Sequence, residues 1–255
     1  MEFDADLIAC AGIVERADTL RFRATMAAPL EARRVLFPLY AFNIEVARAP
    51  WVTQEAMIAE MRLQWWRDVC EEIANGETVR RHEVATPLAA AITADDAGLL
   101  DGLVAARRWD IYRDPFEDDA HFDAYIDQTA GNLMWVAARR LGQADEPTVR
   151  DAAYGAGVAA WLLAIPRLVE LGRVPLLDGT EAGVARLADR ALKRLDRARR
   201  SRGKVSKAAR PAMYSVAASA RVLRAAIARP ARVREAQLPP LDRFVLSWRA
   251  VSGRW

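Results

Sequence analysis

Long helical stretches separated by proline and glycine most constrain how this chain can fold. Between these breakers apolar residues recur at helical spacing, and no alternation of apolar and polar residues is long enough to demand a strand. With 255 residues and 53% hydrophobic content, the chain can bury a substantial core. The sequence therefore predicts one all-α domain over residues 1–255. The main breakers are Pro29, Pro50, Gly76, Pro87, Pro115, Gly142, Pro147, Gly172, Gly203 and Pro230.

Three short motifs give these helices a family likeness. Tyr40-Ala-Phe42 is followed on the next helix by Arg62-Leu-Gln-Trp-Trp-Arg-Asp68, and Tyr125-Ile-Asp-Gln-Thr-Ala-Gly131 comes later. The region that carries them, residues 16–178, resembles the squalene/phytoene synthase family of head-to-head isoprenoid synthases. The resemblance implies an isoprenoid-synthase-like helical fold around a central cavity. The expected walls include helices at 30–49, 53–74, 118–141 and 152–171.

The aspartate-rich motifs that carry the family's chemistry are missing. In active members, Tyr-Ala-Phe leads into carboxylates that hold magnesium against the substrate diphosphate, but the corresponding positions here are Ala47, Arg48 and Trp51. On the later helix Arg167 matches the family pattern, whereas the aspartate position is Leu168. Magnesium takes oxygen ligands, which these replacements do not supply. The sequence therefore favours a protein without family catalysis, metal or cofactor.

The chain also resembles a non-catalytic branch of the family, which serves the assembly of mitochondrial respiratory complex I. In that branch the helix likewise continues Ala-Phe-Asn into glutamate, as Asn43 and Glu45 do here. This likeness implies a binding or assembly factor whose partners are subunits or assembly intermediates of a membrane respiratory complex. The relict cavity is then a candidate site for an isoprenoid or lipid. The candidate ligand residues are Tyr40, Asn43, Arg48, Arg62, Trp66, Asn132 and Arg167.

Arg48 stands where the enzymes place a carboxylate that binds a cation. It could bind an anionic head group directly, or it could form an ion pair with Glu45 or Glu55. The spacing to these acids favours the ion pair.

An acidic cluster provides an alternative enzyme hypothesis. Asp119, Asp123 and Asp127 recur every four residues and would share a helical face. They could form a relocated magnesium site of a prenyl or terpene-type transferase acting on polyprenyl diphosphates. However, Asp118 and Asp119 follow Pro115 at the expected start of a helix, where carboxylates cap exposed N–H groups. Capping is the favoured interpretation.

Charge is distributed unevenly along the chain. Residues 1–185 carry 18 Lys and Arg against 30 Asp and Glu, whereas residues 186–255 carry 19 against 4. The basic helical C-terminal part could face the acidic remainder of its own fold. It could instead dock on an anionic lipid surface as a peripheral adaptor. Nucleic acid is disfavoured because no aromatic residue interrupts the basic run 186–210.

Local patterns give further expectations for the helices. Thr53 is expected to cap a helix that ends at Asn75-Gly76. Its apolar stripe is expected to contain Met57, Met61, Trp65, Val69 and Ile73. Pro38 and Pro166 lie inside the two helices that carry the aspartate motifs in active members, so each predicts a bend, and Pro38 alternatively a late helix start.

The remaining reactive residues show no catalytic or metal-binding spacing. Cys10 and Cys70 are expected to be reduced core residues, and His82 and His121 to be surface or hydrogen-bonding histidines. No signal peptide or transmembrane helix is expected, since the most apolar segment, 152–169, contains Pro166 and Arg167. The predicted location is the cytoplasm, with peripheral attachment to the inner face of the cytoplasmic membrane as an extension.

Overall fold

The computed structural model describes residues 4–112, 114–239 and 255. Within this part of the chain the elements are helical, apart from an isolated bridge between Ala144 and Val205. The all-α prediction is confirmed. The α-helices are α1 Ala5–Ala17, α2 Thr19–Met26, α3 Leu30–Arg48, α4 Ala56–Ala74, α5 Ala85–Ala91, α6 Ala94–Ala106, α7 Asp119–Ile126, α8 Asn132–Leu141, α9 Glu146–Glu170, α10 Glu181–Arg200, α11 Ser219–Ala228 and α12 Ala231–Arg234.

Tighter or wider helical turns connect several of these helices. Helices of the 3₁₀ type span Ala49–Trp51, Arg107–Asp110, Arg202–Lys204 and Arg210–Ala218. A π-helical segment, Asp127–Gly131, joins α7 to α8. The helix expected over 118–141 is therefore continuous but widened in its middle. Such π turns are rare and often lie beside functional sites.

Side-chain caps explain why several helices begin where they do. The Asp118 carboxylate accepts a hydrogen bond from the His121 N–H at 2.8 Å, which confirms its predicted capping role. Asp145 caps α9 in the same way by accepting from the Thr148 N–H at 3.1 Å. Consequently α9 begins at Glu146, six residues before the predicted start at 152. Gly76, with φ of 71°, follows the end of α4 as predicted.

Helix α4 contradicts two of the local expectations. It begins at Ala56 rather than at Thr53, and the residue before it, Glu55, makes no side-chain cap bond. Met57 and Met61 are 75% and 66% exposed, so the predicted apolar stripe is wrong. A strict four-residue spacing drifts by about 40° per step around a helix of 3.6 residues per turn, so five such positions cannot share one face. The residues buried instead are Ala59, Leu63, Trp66, Val69, Cys70 and Ile73.

The two prolines lie inside continuous helices. Helix α3 begins at Leu30 and runs through Pro38, so the late start is wrong. Helix α9 likewise continues through Pro166 to Glu170. Proline removes a backbone donor without necessarily ending a helix that is held by its neighbours.

Helix α9 is the central element of the packing. It contacts α10 and α11 on one side and the π-helical segment and α8 on another. Helix α3 packs between α1, α5 and α8, and α4 lies against α6. This arrangement leaves a cavity between α3 and α9, close to the π-helical segment. The fold therefore brings the two aspartate-motif positions of the sequence to one enclosed space.

Candidate functional site

A cavity of about 710 Å³ occupies the middle of the helical fold. All four expected wall segments line it, although α4 contributes only its first turn. Small residues of α9 form part of its wall: Ala156, Gly157, Ala160 and Ala164. The π-helical segment and its flanking helices contribute Ile126, Thr129, Ala130, Leu133 and Met134, and Ile126 and Ala130 pack closely on Gly157. The volume lies within the usual range for small-molecule pockets, about 300–1,000 Å³.

The mouth of the cavity is marked by lining residues that are also exposed to solvent. Trp51 and Glu55 lie on its α3–α4 side, and Leu163 and Arg167 lie on its α9 side. Trp51 is 40% exposed and Trp161 is 8% exposed, and both form part of the wall without closing the space.

Three of the four positions that the resemblance assigns to the family's metal-binding carboxylates line this cavity, and the fourth, Arg48, does not. Ala47 and Trp51 line it from α3 and the turn that follows, and Leu168 lines it from α9. None of the three side chains offers an oxygen atom to a cation. Tyr40, Asn43 and Arg167 also belong to the lining, as the resemblance implied.

Tyr40 is the most deeply buried of these candidate ligand residues. Its side chain is 4% exposed, and burial raises the pKa of Tyr40 to about 12, so the hydroxyl is neutral at physiological pH. The Arg21 guanidinium lies 5.3 Å from the centre of the Tyr40 ring and is paired with Asp18 at 2.9 Å.

Four other candidates lie outside the lining, which corrects their assignment to the cavity. The guanidinium of Arg48 pairs with Glu45 at 3.0 Å, as the favoured interpretation predicted, and its side chain is 53% exposed. Arg62 lies on the exposed face of α4, because that helix is rotated from the predicted orientation. Trp66 packs its ring against Phe42 with a centroid distance of 5.3 Å.

Asn132 is the fourth residue outside the lining, and it has a structural set of partners. Its side-chain amide donates to the Leu99 carbonyl at 2.9 Å, and its oxygen accepts from Arg150 at 3.3 Å. These bonds connect α6, α8 and α9. The buried amide is therefore satisfied without a ligand.

The alternative metal cluster is engaged by arginine. Asp119 and Asp123 pair with Arg190 at 3.4 and 3.1 Å, and Asp127 pairs with Arg150 at 3.0 Å. The described residues contain no group of three His, Cys, Asp or Glu side chains placed to hold a metal ion. Each of these three aspartates thus has an arginine partner in this structure.

A buried polar network at the cavity wall was missed by the sequence reasoning. The Tyr125 hydroxyl bridges Arg107 at 2.7 Å and the Asp110 carboxylate at 2.9 Å. Arg173, which is 5% exposed, lies 3.8 Å from Asp110 and also donates to the Trp109 carbonyl at 3.0 Å. Two guanidinium groups thus share one carboxylate in the lining.

Burial and neighbouring charges together determine the ionisation states of Tyr125 and Arg107 in this network. Burial raises the pKa of Tyr125 far above its ordinary value, and the Asp110 carboxylate adds to that effect. For Arg107, burial lowers the pKa, but contacts with Tyr125 and Asp110 outweigh burial and raise it. The phenol is therefore neutral and the guanidinium charged. This part of the cavity wall carries an excess positive charge and suits an anionic group.

Aromatic rings surround the network. Trp109 stacks on Phe116 with a centroid distance of 4.0 Å, and Trp161 lies 5.5 Å from the Tyr125 ring. Arg173 lies 4.5 Å from the Trp109 ring centre, within range of a cation–π contact. The sequence signals were Arg107-Arg-Trp-Asp110 and Gly172-Arg173, but their convergence depends on Arg173, just after α9, reaching the 3₁₀ helix Arg107–Asp110.

Much of the basic C-terminal part pairs with acids of the preceding fold. Arg194 and Arg197 of α10 both bind Asp151 of α9, at 2.9 and 2.5 Å. Arg190 binds the acids of α7, and Arg186 binds Asp178. The intramolecular interpretation therefore accounts for this face of α10. The basic residues after 239, other than position 255, lie outside the described part of the chain.

The cysteines and histidines have structural surroundings. Cys10 and Cys70 are free and buried, as predicted, and burial raises the pKa of each thiol to about 12. The His82 ring lies 4.9 Å from the Trp65 ring, and its Nδ1 accepts from the Val84 N–H at 3.0 Å. His121 packs against Phe116 at 5.4 Å.

Helix α9 meets the length and composition of a membrane span. Its most apolar window has a mean hydropathy of 1.4, and 56% of that window is buried within the fold. The core helix of a soluble domain passes the same test.

Comparison with solved structures identifies the class to which this cavity belongs. The chain matches a crystal structure of a dehydrosqualene synthase in complex with a ligand, with a TM-score of 0.76 and 12% sequence identity. The match covers 97% of this chain and 95% of that chain. At this identity the likeness establishes the fold alone, which is the helical isoprenoid-synthase fold.

The sequence comparisons then establish the family. The squalene/phytoene synthase model matches residues 14–176, more than half of the chain, so the protein belongs to that family. A curated relative, the NADH dehydrogenase (ubiquinone) complex I, assembly factor 6 homolog of Drosophila melanogaster, is 30% identical over 170 residues. These residues are 62% of this chain and 50% of that protein, so the chain spans about half the length of this relative.

Proposed function

We propose that this protein is a non-catalytic member of the squalene/phytoene synthase family that assists the assembly of a complex I-type respiratory enzyme. The observation that carries this proposal is the convergence of Ala47, Trp51 and Leu168 on the cavity, where active members hold magnesium with carboxylates. Without a bound cation, an allylic diphosphate has no evident means of stabilising its departing charge. The name of the curated relative supports the assembly role.

The same cavity is proposed to hold an amphiphilic ligand, an isoprenoid or a lipid with an anionic head. Its wall of small and apolar side chains along α9 suits a flexible hydrocarbon chain. Arg107 and Arg173, which share the Asp110 carboxylate, supply the positive charge for the head group. The working location is the inner face of the cytoplasmic membrane, where partner subunits and lipid ligands are both available.

Deletion of the coding sequence tests the assembly role. The expected result is a fall in assembled complex I and in its NADH-dependent activity, restored by the wild-type protein. Complex I of unchanged amount and activity in the deletion strain would remove the assembly proposal.

An enzyme assay tests the loss of catalysis separately. Purified protein is incubated with farnesyl or geranylgeranyl diphosphate and Mg²⁺, and the expected result is no release of diphosphate. Release that is abolished by Asp123→Asn would instead support the transferase alternative at Asp119, Asp123 and Asp127.

A substitution that fills the cavity tests whether the cavity binds a ligand. Native mass spectrometry of wild-type protein is expected to show a copurified amphiphile, and Ala156→Phe is expected to remove it by occupying the apolar wall. Ala124→Phe is the matched control, because Ala124 is an exposed alanine of α7 outside the lining. Equal ligand content in all three proteins would contradict the cavity site.

The basic C-terminal part offers a further lipid-surface proposal, in which binding to anionic liposomes weakens with salt. Neutralising Arg197, Arg199, Arg200 and Arg202 together tests it. Binding that ignores both salt and these substitutions would reject it.

A further inference from the structure

We propose that an apolar rim beside the cavity mouth docks on the surface of a lipid bilayer. The apolar rim is defined as Trp51, Val52, Met57, Ile58 and Met61. Their exposed fractions are 40%, 47%, 75%, 39% and 66%. Large apolar side chains at such density on a surface mark an interaction site rather than the scatter of single exposed residues that every protein shows.

The local structure places these side chains together. Met57 and Met61 lie one turn apart on α4 and Ile58 lies beside them, so they form one outward face. Trp51 and Val52 precede that helix by a short turn whose residues 53–56 line the cavity. The apolar rim is therefore exposed to solvent on the same short segment that lines the cavity.

The apolar rim is continuous with the cavity interior. Trp51 belongs to both, since it is exposed and also lines the cavity. Across the mouth, Leu163 is 39% exposed and lines the cavity as well. A hydrocarbon chain leaving a bilayer could thus enter the cavity along apolar surface without crossing water. This entry role rests on the proposed function, whereas docking itself does not.

Charges around the apolar rim favour an uncharged or zwitterionic interface. Arg48 pairs with Glu45 at 3.0 Å, Arg167 pairs with Glu170 at 2.9 Å, and Arg108 pairs with Glu60 at 2.9 Å. Glu55 and Arg62 are also exposed on this segment and carry opposite charges, so together these groups leave little net charge to attract or repel anionic lipid. Insertion of Trp and aliphatic side chains at the head-group level is then the main source of affinity.

The position of the apolar rim separates it from the basic end of α10. Lys204 lies near Asp145 at the start of α9, with an Nζ to carboxylate distance of 3.7 Å, whereas Leu163 lies 18 residues further along that helix. At 1.5 Å per residue this separation is about 27 Å. The basic end therefore lies far along α9 from the cavity mouth that the apolar rim borders, and binding through the apolar rim should not depend on it.

Vesicle flotation with the full chain tests the proposal. The probe is neutral phosphatidylcholine vesicles at low and high salt. We expect binding that changes little with salt, and a loss of about tenfold or more in Met57→Glu/Met61→Glu, because two apolar anchors become charged. The matched control is Ile8→Glu/Leu30→Glu, which changes two exposed apolar residues on α1 and at the start of α3.

Several results would overturn the inference. The first is that the wild type does not bind vesicles. The second is that the Met57/Met61 variant binds as well as the wild type. The third is that the control variant loses as much binding as the Met57/Met61 variant. Binding only to anionic vesicles, abolished by Arg200→Ala/Arg202→Ala, would assign membrane contact to the basic end instead. Thermal unfolding of each variant separates loss of docking from loss of fold, since Met57 and Met61 are exposed.

Native mass spectrometry keeps the two proposals apart. A Met57/Met61 variant that retains its copurified ligand but loses vesicle binding supports docking and leaves the cavity proposal intact. Vesicle binding by a wild-type protein whose cavity carries no ligand would support docking while removing the cavity proposal.

Discussion

The two halves of α9 differ in what surrounds them. The N-terminal half packs tightly on α10, and its Asp151 is held by two arginines. The C-terminal half borders open space, and its polar neighbours gather around the cavity. The charge of the first half forms ion pairs within the fold, whereas in the second half the position that the resemblance assigns to an aspartate is the apolar Leu168 in the cavity lining. The comparison teaches that a residue's role follows from whether packed protein or a cavity faces it.

The largest expected effect is at the packed half. Asp151→Ala removes the shared partner of Arg194 and Arg197, whose side chains are 28% and 60% exposed. Because solvent relieves part of the lost pairing, we expect the free energy of unfolding to fall by about 2–3 kcal/mol, below the full loss for a buried pair. Urea unfolding measures it.

A matched control uses an exposed pair within α10. Asp189 binds Lys193, with side chains 47% and 76% exposed, so Asp189→Ala should cost about 0.5 kcal/mol or less. Equal losses in the two variants would show that Asp151 contributes no more than a surface charge.

Substitutions that enlarge a side chain should also change the free energy of unfolding differently in the two halves of α9. A Cβ at Gly155 would lie 2.8 Å from the Leu195 Cβ, so Gly155→Ala should lower the free energy of unfolding by about 1–3 kcal/mol through overpacking. Ala164→Leu adds more volume, but it faces the cavity and should cost less than about 1 kcal/mol. Thermal unfolding compares them. A larger loss for Ala164→Leu would mean that the cavity half is the more tightly packed.

Acid should lower the free energy of unfolding, because it protonates Asp151 in the packed half of α9. Burial opposes ionisation, but hydrogen bonds from Arg197 and Arg194 outweigh it and lower the pKa of Asp151 below its ordinary value. Its stabilisation is therefore complete above the unfolded-state pKa, about 4, and is lost as pH falls through the folded-state pKa.

Urea unfolding between pH 6 and pH 2.5 measures this dependence. The wild type should lose more stability than Asp151→Asn, with a difference in slope of at most about 1.4 kcal/mol per pH unit for one proton. Parallel curves for the two proteins would assign acid sensitivity to other carboxylates.

The smallest expected effect concerns Arg48. Its ion pair with Glu45 is half-exposed, so Arg48→Ala should change the free energy of unfolding by less than about 0.5 kcal/mol. Ligand content, measured by native mass spectrometry, should be unchanged because Arg48 lies outside the lining. A loss of ligand would restore Arg48 as a head-group residue, while Arg107→Ala serves as the comparison expected to reduce it.

Much of the fold was readable from the chain alone. Breakers and apolar spacing predicted the helices, and the motifs at Tyr40–Phe42 and Arg62–Asp68 indicated the family, which the family comparison confirmed. The helix boundaries were predicted less accurately. Helix α4 begins three residues after its predicted start, and α9 begins six residues before its predicted start. Capping by Asp118 was predictable because it depends on a few adjacent residues.

The candidate site was only partly predictable. Tyr40, Asn43 and Arg167 line the cavity, but Arg62, Trp66 and Asn132 do not. The network of Arg107, Asp110, Tyr125 and Arg173 escaped prediction, because its members come from three separate segments that meet only in the folded protein: the 3₁₀ helix Arg107–Asp110, α7 and the residues after α9.

The sequence by itself determined what depends on side-chain identity: a helical chain of this family, with Ala47, Trp51 and Leu168 at positions that the resemblance assigns to magnesium-binding carboxylates. A missing carboxylate is missing in any conformation. Tertiary structure decided the orientation of each helix and the partner of each charge. It turned Met57 and Met61 outward and gave Asp151 to the basic helix, because burial and ion pairing depend on distances between segments that are remote in sequence.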